Sequence, residues 1–158
     1  MSLLQQRLIE KEYPYQTINA SITGDTTSGG LQRIDNILAN HKPAIVIIEL
    51  GGNDGLRGLN LNAIKQNLLQ IIEKCKKSNS RVLLVGMQLP PNYGLVYTNQ
   101  FAKIFESLAI EENIALVPFM LKGIESNMQY FQKDGIHPTA DAQIILLDNV
   151  WPMLEPLL

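Results

Sequence analysis

Apolar residues recur along this chain in two patterns, as short continuous runs and as helical stripes. The runs 44–50 and 81–87 are largely apolar, as parallel strands are when helices cover both faces of their sheet. The stretches 28–40 and 61–77 repeat apolar residues at intervals of three and four, which is typical of amphipathic helices. The pattern therefore predicts strands and helices in alternation.

The remaining patterns extend this alternation to both ends of the chain. They predict helices over 3–12, 97–112 and 139–155, and strands over 15–22 and 115–118. Strands that alternate with helices form a parallel sheet with right-handed crossovers and helices on both faces. We therefore expect an α/β fold of the flavodoxin-like, three-layer α/β/α kind. A length of 158 residues indicates one domain, 1–158, with a real core.

Charge and composition exclude several classes of function. The formal net charge is −2, and basic residues are scattered apart from Lys74, Lys76 and Lys77 at the end of a predicted helix. Nucleic-acid binding requires a concentrated basic face, so the sequence argues against it. Cys75 is the single cysteine, which excludes an internal disulfide and a cysteine-ligated metal site. No apolar stretch is long enough to predict a transmembrane helix.

His137 is the first candidate for catalysis. The other histidine, His41, ends a predicted helix, where a cation stabilises the helix dipole. Asp134 precedes His137 by three residues, so one turn can bring its carboxylate to a ring nitrogen. The second ring nitrogen is then free to take a proton from a nucleophile. The same short motif is also compatible with a capped turn that carries a surface histidine.

Asn53 and Gly24 are candidates for binding an oxyanion. Asn53 lies in a Gly-Gly-Asn-Asp turn directly after the predicted strand 44–50, and Gly24 follows the predicted strand 15–22. Chemistry in open parallel sheets collects beyond the carboxyl ends of the strands. The Asn53 amide and the Gly24 N–H could there donate to a developing oxyanion. Alternatively, these residues only build tight turns.

Four segments together resemble the SGNH (GDSL) hydrolase family, and look most like its bacterial branch of acyl-CoA thioesterases, lysophospholipases and arylesterases. They are Asn-Ala-Ser-Ile-Thr-Gly-Asp-Thr at 19–26, Glu-Leu-Gly-Gly-Asn-Asp-Gly-Leu-Arg-Gly at 49–58, Leu-Pro-Pro-Asn-Tyr-Gly at 89–94 and Asp-Gly-Ile-His-Pro at 134–138. They occur in the family's order and cover nearly the whole chain.

The resemblance implies an enzyme that hydrolyses acyl esters or thioesters, including lysophospholipids and aryl esters, through an acyl-enzyme and without a cofactor or metal. It makes His137 the general base, Asp134 its orienting partner, and Asn53 and Gly24 the oxyanion donors. The substrate contacts that it implies are Asp54, Leu56, Pro90, Asn92, Tyr93 and Ile136.

Family members begin with a central strand that ends in Gly-Asp-Ser, whose serine attacks the acyl carbonyl. No serine of this chain stands in that context, and Ser21 lies within the predicted strand 15–22. We therefore expect the chain as given to hydrolyse near background. The resemblance places the missing strand between 15–22 and 44–50, which leaves two edges unpaired. We expect these flanking strands to close up, or a partner, such as a second copy in a homo-oligomer, to fill the gap.

Lipid binding without turnover and nucleotide binding are two alternatives to hydrolysis. A non-catalytic remnant could keep the acyl groove and bind lipid without turnover. A nucleotide-binding protein needs a phosphate-cradling loop, and the spacing of 51–55 fits neither common phosphate motif. Family members of full length fit the periplasm or secretion, but no signal peptide is visible at this amino end, so the compartment stays open.

Overall fold

A three-stranded parallel sheet lies at the centre of the chain. The computed structural model describes residues 2–158. Its strands are β1 (Ile45–Ile48), β2 (Arg81–Val85) and β3 (Ala115–Val117), hydrogen-bonded in that order. The register aligns Ile45 with Arg81 and Leu83 with Ala115. The predicted α/β class with a parallel sheet is confirmed.

Six α-helices surround this sheet in residues 2–158: α1 (Leu3–Glu10), α2 (Thr27–His41), α3 (Gly52–Leu56), α4 (Leu61–Lys77), α5 (Leu95–Glu112) and α6 (Gln143–Leu154). The helix α4 has the predicted bounds, because Asn60 accepts from the N–H of Ala63 as an N-cap. The short helix α3 was predicted only as a turn. None of the helices described is both long and apolar enough to span a membrane.

The strand β2 divides the core into two halves. Val82 and Leu84 face a cluster formed with α2, α4 and α5, while Leu83 and Val85 face a second cluster that includes Leu8 and Trp151. These four side chains are buried, and only Arg81 at the start of β2 is exposed. Successive side chains of a strand point to opposite faces, so the unbroken apolar run of β2 requires helices on both sides. This arrangement gives the three layers.

The predicted strand 15–22 does not form. Residues 13–22 contain no helix or strand, and most of their side chains are exposed. The prediction was wrong because a strand requires a neighbour to which its backbone can bond. Here β1 is the edge strand of the sheet, and no strand of residues 2–158 lies between it and this segment.

An open cavity of about 780 Å³ occupies the space between segment 15–22 and β1. Its wall includes residues 15–25 on one side and 44–50 on the other, with α2 contributing Arg33 and Ile34. Segment 15–22 and β1 are therefore not paired with each other. Direct pairing of these two segments was one of the two arrangements that the sequence led us to expect, and it does not occur. The edge of β1 faces this cavity.

Candidate active site

The residues 130–139 form a narrow loop that carries Asp134 and His137. An antiparallel bridge joins Phe131 to Pro138 at its base, and Gln132 N donates to the carbonyl oxygen of His137 at 2.7 Å. Gly135, with φ of +69°, makes the sharp turn at its tip. The backbone thus fixes the spacing of the acid and the base.

Asp134 and His137 form the predicted pair. Asp134 Oδ2 lies 2.8 Å from His137 Nδ1. Asp134 Oδ1 accepts from the backbone N–H groups of Ile136 at 2.9 Å and His137 at 3.0 Å. These three contacts hold the ring in one orientation and leave His137 Nε2 as the nitrogen available to a reactant.

The Asp134 carboxylate is held in its ionised form. The backbone N–H of His137, the His137 ring and the N–H of Ile136, in that order of importance, lower its pKa from 3.8 to about 2. Hydrogen bonds to a charged form favour that form. Near neutral pH, Asp134 is therefore an acceptor only, and can stabilise an imidazolium at His137.

Asn53 lies in the first turn of α3, after Gly51 with φ of +106°. Its Nδ2 donates at 2.9 Å to the backbone carbonyl of Asp25, next to Gly24. An amide nitrogen carries two hydrogens, so one remains for a ligand. The hydrogen bond joins the two candidate oxyanion donors into one unit.

Two arginines, Arg57 and Arg33, hold the turn at Gly24 through three contacts. Arg57 donates to the Gly24 carbonyl at 3.2 Å, and Arg33 forms an ion pair with Asp25 at 2.8 Å and donates to the Ala20 carbonyl. Among residues 2–158, no acceptor takes the N–H of Gly24. The N–H is therefore free to bind a ligand. Neither arginine was predicted, because each contacts a residue distant from it in the sequence.

Gly24, Asn53 and His137 all line the cavity beside β1. The sequence predicted that these three residues would converge, and in the structure each of them contributes to the lining of this one cavity. The side chain of Glu49 also opens to this cavity, but the surrounding protein desolvates its carboxyl and raises its pKa. The cavity therefore combines a base, two N–H donors and an acidic group.

Asp54 does not reach the cavity. Its side chain is buried, and both carboxylate oxygens bond Thr27, with Oδ1 2.6 Å from Thr27 Oγ1 and Oδ2 2.9 Å from Thr27 N. Asn67 Nδ2 donates to the same Thr27 hydroxyl at 3.0 Å. A carboxylate with these partners has no access to substrate, so the arrangement does not support the predicted substrate contact. It ties α2 to α3 instead.

The other predicted substrate contacts lie outside the cavity wall. They are Leu56, Pro90, Asn92, Tyr93 and Ile136. Tyr93 donates to the carbonyl of Leu56 at 3.0 Å, and Tyr97 to that of Leu59 at 2.8 Å. These two hydrogen bonds join the loop 56–59 to the segment 89–97. Tyr97 was not predicted, because its partner Leu59 is distant from it in the sequence.

None of the serines in residues 2–158 is placed to act as a nucleophile beside the His137–Asp134 pair. No serine hydroxyl in residues 2–158 hydrogen-bonds to His137. Ser21 lines the cavity, and its backbone N–H donates to Asn19 Oδ1 at 3.0 Å. In the same residues, no group of three or more potential metal ligands occurs.

Known proteins and one family model are similar to this chain over most or all of its length. A model of a GDSL-like lipase/acylhydrolase family matches residues 2–143, a range that contains all four motifs described above. Esterase TesA of Pseudomonas aeruginosa is 50% identical over 158 residues, which are 100% of this chain and 79% of that protein.

Two further matches cover most of the chain. The thioesterase 1/protease 1/lysophospholipase L1 of Escherichia coli is 43% identical over 140 residues, which are 89% of this chain and 67% of that protein. The crystal structure of TesA superposes with a TM-score of 0.96 at 51% identity, and covers 99% of this chain and 87% of that one.

Proposed function

Because the chain belongs to the GDSL-like lipase/acylhydrolase family, we propose that it carries the acid–base and oxyanion-binding parts of a serine esterase. One observation supports this assignment above all. His137, which Asp134 orients, lines the same cavity as Asn53 and Gly24, whose N–H is free.

The arrangement supports acyl transfer in two steps. His137 Nε2 takes the proton of an attacking serine hydroxyl and returns it to the leaving group, while ionised Asp134 stabilises the imidazolium. The Gly24 N–H and the free hydrogen of Asn53 Nδ2 donate to the oxyanion, an interaction that typically contributes about 10²–10³ in rate. Water then releases the acyl group by the same route.

Acyl esters and thioesters are the proposed substrates. Relatives of this chain are named esterase, thioesterase and lysophospholipase, and the exposed apolar side chains near the site favour an acyl chain. Leu59 and Tyr93 are exposed on the two segments 56–59 and 89–97, which hydrogen bonds join to each other. Ile136 is exposed on the loop that carries Asp134 and His137. We assign Leu56, Pro90, Asn92, Tyr93 and Ile136 to substrate contacts at this outer surface.

The nucleophile is the part that these 158 residues do not provide. None of their serines follows Gly-Asp, and Ser21, which lines the cavity, forms no hydrogen bond with His137. We propose that the 158 residues alone hydrolyse esters near background, since a triad without its serine retains only about 10³–10⁴-fold over water.

Two versions of the chain test this proposal. The first is the chain itself, treated with a fluorophosphonate probe and assayed with p-nitrophenyl butyrate; we expect no labelled serine and background hydrolysis. The second adds an apolar strand ending in Gly-Asp-Ser, joined ahead of residue 1 by a flexible glycine-rich linker of about 15 residues. We expect labelling of the added serine and hydrolysis that His137→Ala abolishes.

The added strand with alanine in place of its serine is the matched control. A folded extended chain that is neither labelled nor active would contradict the proposal. So would hydrolysis that persists unchanged in the Asn53→Ala and His137→Ala variants, because it would not use the cavity.

A further inference from the structure

The helix α3 and its last residue hold two successive carbonyl groups of the Gly24 turn. Asn53 Nδ2 donates to the carbonyl of Asp25 at 2.9 Å, and Arg57 Nη2 donates to that of Gly24 at 3.2 Å. The backbone N–H of Arg57 donates to the carbonyl of Asn53, so the two residues lie one helical turn apart. Side chains at this spacing project from the same face of a helix. Asn53 and Arg57 therefore contact the turn as a pair.

The direction of the Gly24 N–H depends on contacts of this kind. The N–H of Asp25 donates to the carbonyl of Ile22 at 3.2 Å and closes a tight turn, in which Gly24 has φ of +75°. Glycine has the widest range of backbone conformations, so its own geometry does little to fix the peptide groups on either side of it. Among residues 2–158, Arg57 is the one donor to the Gly24 carbonyl oxygen.

Two tyrosines fix the backbone on either side of Arg57. Tyr93 donates to the carbonyl of Leu56 at 3.0 Å, and Tyr97 donates to that of Leu59 at 2.8 Å. Most of the segment between these two carbonyls is exposed, so hydrogen bonds rather than burial determine where it lies. The tyrosines therefore determine from where the Arg57 side chain reaches Gly24.

We propose that Arg57 is a positioning residue for the oxyanion site: it fixes the Gly24 donor relative to Asn53, and Tyr97 acts through it. The proposal rests on the proposed function, in which Gly24 and Asn53 donate to the oxyanion. Donors stabilise an oxyanion only when they are already aimed at it, so a displaced Gly24 N–H lowers the rate. The guanidinium suits this role because it is always charged and carries its donors in a rigid plane.

The first test compares Arg57→Met with Lys103→Met in the 158-residue chain by NMR. Both variants remove one exposed cation, and of the two residues only Arg57 hydrogen-bonds to the Gly24 turn within residues 2–158. In Arg57→Met, we expect the amide resonances of Gly24 and Asp25 to shift and their backbone order parameters to fall. In Lys103→Met, we expect both to stay unchanged. Unchanged Gly24 and Asp25 resonances in Arg57→Met would overturn the proposal.

The second test measures hydrolysis of p-nitrophenyl butyrate by the chain extended with the strand that ends in Gly-Asp-Ser. We expect Arg57→Met to lower kcat about tenfold, less than the roughly 10²–10³ that removal of a donor costs, because Gly24 is displaced but not lost. KM should change less than about twofold. A raised KM at unchanged kcat would overturn the proposal, because it would make Arg57 a substrate-binding group.

The conservative variant separates hydrogen bonding from bulk. Arg57→Lys keeps a charged donor on a long side chain, so we expect it to retain more of kcat than Arg57→Met does. Equal kcat values in the two variants would overturn the proposal, because the donor would then make no difference.

A double-mutant cycle tests the part assigned to Tyr97. Tyr97→Phe removes only the hydroxyl that donates to the Leu59 carbonyl. If Tyr97 acts through Arg57, Tyr97→Phe lowers kcat in the extended chain but changes it less than about twofold in the Arg57→Met background. Effects that multiply independently would overturn the role of Tyr97.

The inference and the proposed function can fail separately. An extended chain that hydrolyses nothing would contradict the proposed function, while the Gly24 resonances of the 158-residue chain would still decide whether Arg57 positions the turn. An active extended chain whose kcat is unchanged by Arg57→Met would overturn the inference alone.

Discussion

The carboxylate of Asp54 binds Thr27 through two hydrogen bonds, Oδ1 to the hydroxyl at 2.6 Å and Oδ2 to the backbone N–H at 2.9 Å. Asp54 follows Asn53, and Thr27 begins the helix that follows the Gly24 turn. The buried pair therefore fixes the relative position of the two candidate oxyanion donors. This buried contact joins α2 to α3.

Removing this joint should destabilise the fold. In Asp54→Asn, the amide NH₂ faces one of the two Thr27 donors, so a buried donor loses its acceptor; we expect a loss of about 1–3 kcal/mol in the free energy of unfolding. Urea denaturation followed by circular dichroism measures it. The control is Asp148→Asn, which breaks an exposed ion pair with Arg7 and should cost less than about 1 kcal/mol. Equal effects of the two variants would count against the joint.

Gly51 is predicted to tolerate no side chain. Its φ is +106°, and a Cβ there would lie 3.2 Å from the ring atom Cζ of Phe105. We expect Gly51→Ala to lower the free energy of unfolding by about 1–3 kcal/mol, from backbone strain and this contact. Gly58→Ala is the matched control, since φ is +65° and no atom lies within 4 Å. A loss no larger than that of the control would show that Phe105 moves without cost.

The Asp134 carboxyl should titrate near pH 2. Its pKa is lowered from 3.8 to about 2 by hydrogen bonds to His137 and Ile136, so the folded chain takes up this proton less readily than the unfolded chain. The stabilisation is present above about pH 4 and is lost as the pH falls through about 2. Carboxyl carbon NMR measures the midpoint, which His137→Ala should raise. A midpoint near 4 in the unmodified chain would mean that the pair does not form.

Cys75 should react only when the chain unfolds. Its side chain is 0% exposed, and burial raises the pKa of its thiol to about 11. The thiolate is the reactive form, so we expect little reaction with Ellman's reagent in the folded chain at pH 8. One thiol per chain should react in urea at the rate of a free cysteine. Rapid labelling of the folded chain would show that the packing of α4 opens locally.

Patterns within one segment predicted most of the elements. The helical stripe predicted the bounds of α4, which the structure shows to begin after the N-cap Asn60. The apolar run of β2 predicted a strand covered on both faces. The Asp134–His137 contact was predictable for the same reason, because His137 is the third residue after Asp134 and one turn brings them together.

Patterns within one segment could not predict contacts between segments that are distant in the sequence. Segment 15–22 has the composition of a strand, but a strand forms only when a neighbouring strand pairs with it. β1 does not pair with this segment, so the segment stays irregular. The adjacent Asn53 and Asp54 look equivalent in the sequence, but one lines the cavity and the other is buried against Thr27. Which of two neighbouring side chains turns inward depends on the helix that packs there.

The sequence by itself determined the α/β class, the family resemblance and the acid–base pair, since each depends on periodicity or on residues close together in the chain. Only the tertiary structure decided that segment 15–22 forms no strand, that it does not pair with β1, and that Asp54 holds α2 to α3. These outcomes depend on pairing and packing between segments far apart in sequence, for which no local pattern specifies the partner.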